Sequence, residues 1–117
     1  MMNAPMKECC TVCTECRAMC METVKYCLEK GGALADSSMI MMLLEMSQLC
    51  QTCADFCAMG SQRCDSMYAS CAKLGEECAK VMDRFTDSEL KKCAAACRRC
   101  AQSCRSMCAS QGAKVVA

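Results

Sequence analysis

The chain of 117 residues carries a formal net charge of +1 and contains 17 cysteines and 13 methionines, but only two tyrosines, two phenylalanines and no tryptophan. So balanced a charge and so few aromatic rings exclude the basic patches and stacking surfaces with which proteins bind nucleic acids. No stretch is long and apolar enough to span a bilayer, so we expect neither nucleic acid nor a membrane as a partner.

The length suits a single domain covering residues 1–117. The first ten residues lack the charged segment followed by an apolar segment that marks a secretory signal. We therefore expect a cytoplasmic protein, in a compartment where thiols stay reduced.

Two helices are predicted for the first half of the chain. Pro5 favours the first turn of a helix over residues 5–30, which ends at the glycine pair that begins with Gly31. The Asp-Ser-Ser segment that follows can cap a second helix over residues 37–59, which ends at Gly60.

Two more helices are predicted for the second half. Ser61 can cap a helix over residues 62–83, which contains Gly75 as a weak point. The segment Thr-Asp-Ser-Glu has the pattern of a capping box for a helix over residues 87–111, which ends before Gly112. Four helices joined by short links predict an all-α fold, an up-down-up-down antiparallel four-helix bundle.

Cysteine and methionine occupy the positions predicted to face the core of this bundle. The cysteines recur at spacings of three, four and seven, the periodicity that leucine and isoleucine normally follow. Only Cys10 lies clearly off these rows. All the cysteines are candidate metal ligands: Cys9, Cys10, Cys13, Cys16, Cys20, Cys27, Cys50, Cys53, Cys57, Cys64, Cys71, Cys78, Cys93, Cys97, Cys100, Cys104 and Cys108.

Disulfide bonds and simple packing account poorly for this pattern. Neighbouring cysteines on one helix have side chains that run side by side, which rarely suits a disulfide, and the count of 17 is odd. Packing alone would be served by alanine or leucine, which lack the oxidation liability of a thiol. We therefore interpret the rows as metal ligands.

One run of cysteines matches the C-x2-C-x2-C-x3-C ligand spacing of bacterial ferredoxins: Cys10, Cys13, Cys16 and Cys20. Met21 stands where the usual proline would follow, and no second run repeats the spacing. The segment is also rich in helix formers, whereas a cluster needs a chain that wraps around it. An iron–sulfur, ferredoxin-like electron carrier is therefore an alternative rather than the favoured function.

Charge balance favours copper(I) over zinc or cadmium. A zinc ion bound by four thiolates carries two negative charges, and no lysine, arginine or histidine lies on the inward rows to neutralise them. When thiolates bridge copper(I) ions at a ratio near one to one, each ion replaces one thiol proton and the core stays neutral. We therefore predict multiple copper(I) ions per chain, with a metallothionein-like zinc or cadmium buffer as a further alternative.

Cysteines three or four residues apart on one helix can share a two-coordinate copper(I) ion, because their Cβ atoms lie about 5–6 Å apart. The sequence contains five such pairs: Cys9/Cys13, Cys16/Cys20, Cys53/Cys57, Cys93/Cys97 and Cys100/Cys104. The predicted third helix spaces its cysteines by seven, so they need partners across the bundle, and Met67 and Leu74 are predicted to face inward between them.

Three segments resemble the cytosolic copper storage proteins, four-helix bundles lined with cysteines in C-x3-C and C-x2-C arrangements. They are Cys9–Cys27, Cys53–Cys57 and, as the most specific, Cys93–Met107. The resemblance implies storage of copper(I) along the bundle axis and assembly of bundles into a tetramer. It indicates no particular protein as copper donor or acceptor.

The resemblance also implies histidines near one end of the bundle, but this chain contains no histidine. We expect methionine to take that role, because thioethers bind copper(I) without losing a proton and more weakly than thiolates. The candidate copper entry site lies at the start of the second helix: Met39, Met42 and Met46. Methionines at the opposite end offer an alternative entry: Met59, Met67 and Met107.

No catalytic constellation is recognisable. The chain lacks histidine, and no motif places an acid–base pair beside a nucleophile. We therefore do not expect an enzyme.

Overall fold

The computed structural model describes residues 3–61 and 65–116, with side chains described as far as residue 108. The described part of the chain forms four α-helices and one short 3-10 helix. The α-helices are α1 (Ala4–Lys30), α2 (Ser37–Ala58), α3 (Asp65–Met82) and α4 (Ser88–Val116). None of these helices combines the length and apolarity needed to cross a bilayer.

The ends of α1 follow from local chemistry. The side chain of Asn3 accepts a hydrogen bond from the backbone N–H of Met6 at 3.0 Å, and Pro5 occupies the first turn. Gly31 ends the helix with a φ of 73°, a conformation that side chains other than glycine rarely adopt. The chain then forms a 3-10 helix at Gly32–Ala35, which the sequence analysis did not predict.

The other helix bounds agree with the predictions except at two places. Asp36 caps α2 by accepting from the N–H of Ser38 at 3.1 Å. The predicted start of the third helix, together with Cys64, lies in residues 62–64, outside the described residues. The predicted end of the fourth helix before Gly112 is wrong, because α4 continues to Val116. A single glycine costs a helix only about 1 kcal/mol, and no proline follows to stop it.

The four helices form the predicted up-down-up-down bundle. Helix α1 packs against α2 and α4, and α3 packs against the same two helices, in a molecule that measures 51 × 20 × 20 Å. Cys13 of α1 lies 3.5 Å from Cys100 of α4, and Cys16 lies 3.8 Å from Cys97, measured between Sγ atoms. The numbering rises on one helix as it falls on the other, so these neighbours are antiparallel.

Ion pairs between neighbouring helices lie on the outside of the bundle. Arg105 of α4 donates from Nε to Glu76 of α3 at 2.8 Å, and Arg98 forms an ion pair with Asp83. All four side chains are well exposed, so each pair contributes little, about 0–1 kcal/mol. The fold therefore depends mainly on what its helices bury.

Gly75 allows α3 and α4 to approach closely. A Cβ atom at this position would lie 3.0 Å from the backbone oxygen of Cys97 and 3.1 Å from Cε of Met46. The methionine methyl can shift, but the α4 backbone cannot move without displacing the cysteines that it carries.

The variant Gly75→Ala should therefore be less stable than the unmodified metal-free protein. Overpacking costs about 1–3 kcal/mol, which outweighs the gain of about 1 kcal/mol in helix propensity. Urea denaturation followed by circular dichroism measures the difference. The control Ser70→Ala, on the exposed face of the same helix, should be neutral or stabilising. A higher midpoint for Gly75→Ala would show that the two helices have room to separate.

Candidate metal centre

The interior of the bundle is lined with thiols. Fourteen cysteines have no exposed surface, and we call them the thiol column: Cys9, Cys13, Cys16, Cys20, Cys27, Cys50, Cys53, Cys57, Cys71, Cys78, Cys93, Cys97, Cys100 and Cys104. All of them are free of disulfides. The predicted inward rows of α1 and α4 are confirmed, because every cysteine on those rows that precedes residue 108 is fully buried.

Cys100 joins thiols from all four helices. Its Sγ lies 3.5 Å from that of Cys13 on α1, 3.8 Å from that of Cys50 on α2 and 3.8 Å from that of Cys71 on α3. Cys71 thus finds the partner across the bundle that its spacing requires. A metal ion bound at this level can draw ligands from any helix.

Among the described residues, four groups of three thiols have all their Sγ atoms within 4.8 Å of one another. These groups are Cys9/Cys13/Cys104, Cys16/Cys20/Cys97, Cys16/Cys50/Cys100 and Cys53/Cys71/Cys104. Cys16 and Cys104 each belong to two groups, so neighbouring groups share a sulfur. A shared thiolate can bridge two copper(I) ions, which is the arrangement that a one-to-one ratio requires.

Several candidate ligands lie apart from these groups. Four cysteines are buried in the column but belong to none of the four groups: Cys27, Cys57, Cys78 and Cys93. Cys10 and Cys108 are half-buried. Cys10 therefore lies off the rows, as the sequence predicts. That any of these cysteines binds metal stays a prediction.

The methionines predicted as an entry site lie at one end of the column. Met39 is 5% exposed and Met46 is fully buried, whereas Met42 is only half-buried. Met39 and Met42 line a surface cavity of about 350 Å³, with Arg84 and Phe85 on its other side. We call it the methionine cavity. A larger cavity of about 570 Å³ between α1 and α4 has neither cysteine nor methionine in its lining.

Sequence analysis missed three large side chains that are fully buried: Leu43, Tyr68 and Leu90. It placed Met42 inward on α2, but the buried row passes through Met39, Leu43 and Met46. On α3 it placed Met67 and Leu74 inward, and both are only half-buried. The buried row there is Tyr68, Cys71, Gly75, Cys78 and Met82. An alternation of three and four residues fits the predicted and the observed rows equally, so spacing alone does not distinguish them.

The column has no charged neighbour inside the bundle. Among the described side chains, the buried polar groups besides the thiols are the hydroxyls of Thr23, Ser47 and Tyr68, and none of them carries a charge. Burial raises the pKa of the Cys27 thiol. A hydrogen bond with Cys20, together with burial, raises the pKa of Cys93 to about 12. These thiols therefore hold their protons at neutral pH until a metal ion replaces them.

The candidate metal ligands inside this helical bundle are soft sulfur atoms, and no buried positive charge is present among the described side chains to neutralise their thiolates. These features define a class of proteins that bind soft monovalent metal ions through thiolates. Comparison with known families agrees with this class. The chain matches the family model described as Csp, copper storage protein, over residues 2–109, and it belongs to that family.

Solved structures with the same fold include relatives at low identity. A protein from Nitrosospira multiformis is 27% identical, with a TM-score of 0.84 over 91% of this chain and 96% of that one. The copper(I)-bound copper storage protein BsCsp3 is 26% identical, with a TM-score of 0.82 over 89% and 98%. The metal-free copper storage protein 3 from Bacillus subtilis is 26% identical, with a TM-score of 0.77 over 87% and 97%. Comparison with curated proteins gives no match.

The metal-free protein should lose stability in alkaline solution. The pKa of Cys93 rises from its ordinary value of 9.0 to about 12 on folding. The stability from this raised pKa is fully present below pH 9 and falls as the pH rises towards 12, by about 1.4 kcal/mol per pH unit for such a thiol. Urea denaturation under argon at pH 8 and pH 11 measures it.

The copper-loaded protein is the control for this measurement. Its ligating sulfurs have no proton left to lose, so it should change much less between the two pH values. An equal loss of stability in both forms would assign the effect to surface groups instead.

Proposed function

We propose that this chain stores multiple copper(I) ions along the thiol column, bound by bridging thiolates. The observation that carries the proposal is the sharing of sulfurs between the four three-thiol groups. Isolated sites would leave each thiolate on one metal. Shared sulfurs instead allow each ion to have two thiolates and each thiolate to have two ions.

The absence of buried charge supports copper(I) as the cargo. Among the described side chains, no lysine or arginine reaches the column to balance a tetrathiolate zinc site. A buried net charge without a partner costs several kcal/mol. Copper(I) at about one ion per thiolate replaces protons one for one, so the fully loaded interior carries no net charge.

The methionine cavity is the proposed entry for copper(I). Met39 and Met42 line this cavity with their thioethers. Met46 lies farther along the same helix, beside Gly75 and at the level of Cys97 in the column. At the other end, the described side chains of Met6, Tyr68 and Met107 are buried and line none of the cavities described above. The methionines that line a cavity therefore favour entry at Met39 over the alternative at Met59.

The remaining proposals concern the protein's surroundings. We expect the chain to act as one domain of residues 1–117, in the cytoplasm, where thiols remain available for copper. Met21 and Leu28 lie exposed on one face of α1 and offer apolar area for the tetramer implied by the resemblance. The role is storage or detoxification rather than catalysis, and no donor or acceptor protein is assigned.

The function is tested by titrating the reduced, metal-free protein with copper(I) under anaerobic conditions, against a competing chelator and in parallel with zinc. Uptake of roughly ten or more copper(I) ions per chain, with displacement of zinc, would support bridging thiolates. Saturation near four ions, or a preference for zinc, would overturn the proposal.

The double variant Cys97→Ala with Cys100→Ala should lower the copper(I) capacity by a few ions without abolishing it. Both thiols belong to three-thiol groups, but Cys9, Cys53 and other members remain. The same titration measures the loss. The matched control replaces Cys10 and Cys108, which lie outside the groups, and should lose fewer ions. Unchanged capacity in the first variant would contradict the assignment of its thiols as ligands.

Replacing Met39, Met42 and Met46 by leucine should slow copper(I) loading and removal several-fold while leaving capacity nearly intact. Stopped-flow mixing with a copper(I) chelator complex measures both rates. The control replaces two exposed methionines outside both candidate entries with leucine: Met21 and Met41. If the triple variant and the control load at the same rate, the methionine cavity is not the entry.

A further inference from the structure

Tyr68 places the one aromatic hydroxyl that reaches the thiol column among the described side chains. The side chain has no exposed surface, and its oxygen lies 3.1 Å from Sγ of Cys57. Both residues lie at the end of the bundle away from the methionine cavity, where Met6 and Met107 are also buried. The hydroxyl therefore contacts the column at the end opposite the methionine cavity.

Binding of copper(I) fixes the direction of this hydrogen bond. In the metal-free protein either the thiol or the hydroxyl can donate. When copper(I) binds Cys57, a Cu–S bond forms, the S–H bond breaks, and the proton passes to the buffer without any change of oxidation state. The thiolate can then only accept, so Tyr68 becomes the donor.

A hydrogen bond to the thiolate also affects how the sulfur binds metal. Cys57 lies beside Cys9 but belongs to none of the three-thiol groups found among the described residues. A thiolate sulfur has three lone pairs, so Cys57 can accept this hydrogen bond and still bind copper(I). The donated hydrogen bond stabilises the negative charge on the sulfur and fixes its orientation.

We propose that Tyr68 is a positioning residue that orients and stabilises the Cys57 thiolate as a ligand for the copper(I) ion at the end of the column opposite the methionine cavity. This inference rests on the proposed storage function. Hydrogen-bonding partners of metal ligands typically change metal affinity by about 10–100-fold when they are removed. The ion at Cys57 should therefore depend on the Tyr68 hydroxyl, while the other ions should not.

The first test compares Tyr68→Phe with Tyr26→Phe. Each variant loses one hydroxyl, but that of Tyr26 binds Asp87 at 2.7 Å, outside the column. Copper(I) release is followed at equilibrium across a range of free copper(I) set by a chelator. For Tyr68→Phe, one ion should be released at about 10–100-fold higher free copper(I), with unchanged total capacity. Tyr26→Phe should match the unmodified protein.

Two outcomes would overturn the inference. Superimposable release curves would mean that the hydroxyl has no effect on the ion, and equal weakening of every ion would mean that Tyr68 only packs the bundle. Failure of the unmodified protein to bind copper(I) would instead overturn the proposed function itself. The two failures are therefore distinguishable.

A second test keeps the hydroxyl and uses it as the probe. The chain has two tyrosines and no tryptophan, so Tyr68 is the only tyrosine left in the variant Tyr26→Phe and dominates its fluorescence. Its emission should change in one step, over one equivalent of copper(I), and Cys57→Ala in the same background should remove that step. A gradual change over all equivalents, with or without Cys57, would overturn the inference.

Discussion

The neutrality of the core is the constraint on which the rest of the structure depends. Among the described residues, the polar groups that the bundle buries are thiols, thioethers and a few hydroxyls, and none of them is charged. A charge placed in such an interior is costly unless an opposite charge neutralises it, and no buried side chain described here supplies one. A monovalent metal that exchanges with a thiol proton meets this requirement, and that favours copper(I) over divalent ions.

Using cysteine as core material has a cost that the ends of the bundle offset. A thiol packs as a small hydrophobe and buries less apolar surface than leucine would. Larger apolar side chains lie at the two ends of the bundle. Leu43 and Leu90 are buried towards the methionine cavity, and Met6 and Met107 are buried at the opposite end. The ends thus supply much of the packing, while the middle of the bundle is left to the thiols.

The parts that could be predicted from the sequence are those where one residue type marks the buried row. Cysteine alone marks the rows of α1 and α4, and both predictions are confirmed. In α2 and α3, adjacent apolar residues such as Met42 and Leu43, or Met67 and Tyr68, make two rows equally plausible. At these positions the wrong residue was placed inward in both helices, although the described cysteines of both rows are buried as predicted. Tyr68 and its contact with Cys57 were missed as a result.

Contacts between helices were beyond the reach of periodicity. The approach of Cys100 to thiols on three other helices depends on how far each helix is displaced along the bundle axis. That displacement depends on the links, such as the unpredicted 3-10 helix, and on close approaches such as that at Gly75. Spacing within one helix contains no information about either.

The slender shape of the molecule has a consequence for the order in which cargo moves. Within a bundle 51 Å long and 20 Å across, the thiols of all four helices share one elongated interior, so an ion that enters at one end passes the nearer thiols before it reaches the farther ones. With exchange through a single end, the ion that arrived last is the first to leave. The ion held at Cys57 then becomes a reserve, released only after nearly all the others have gone.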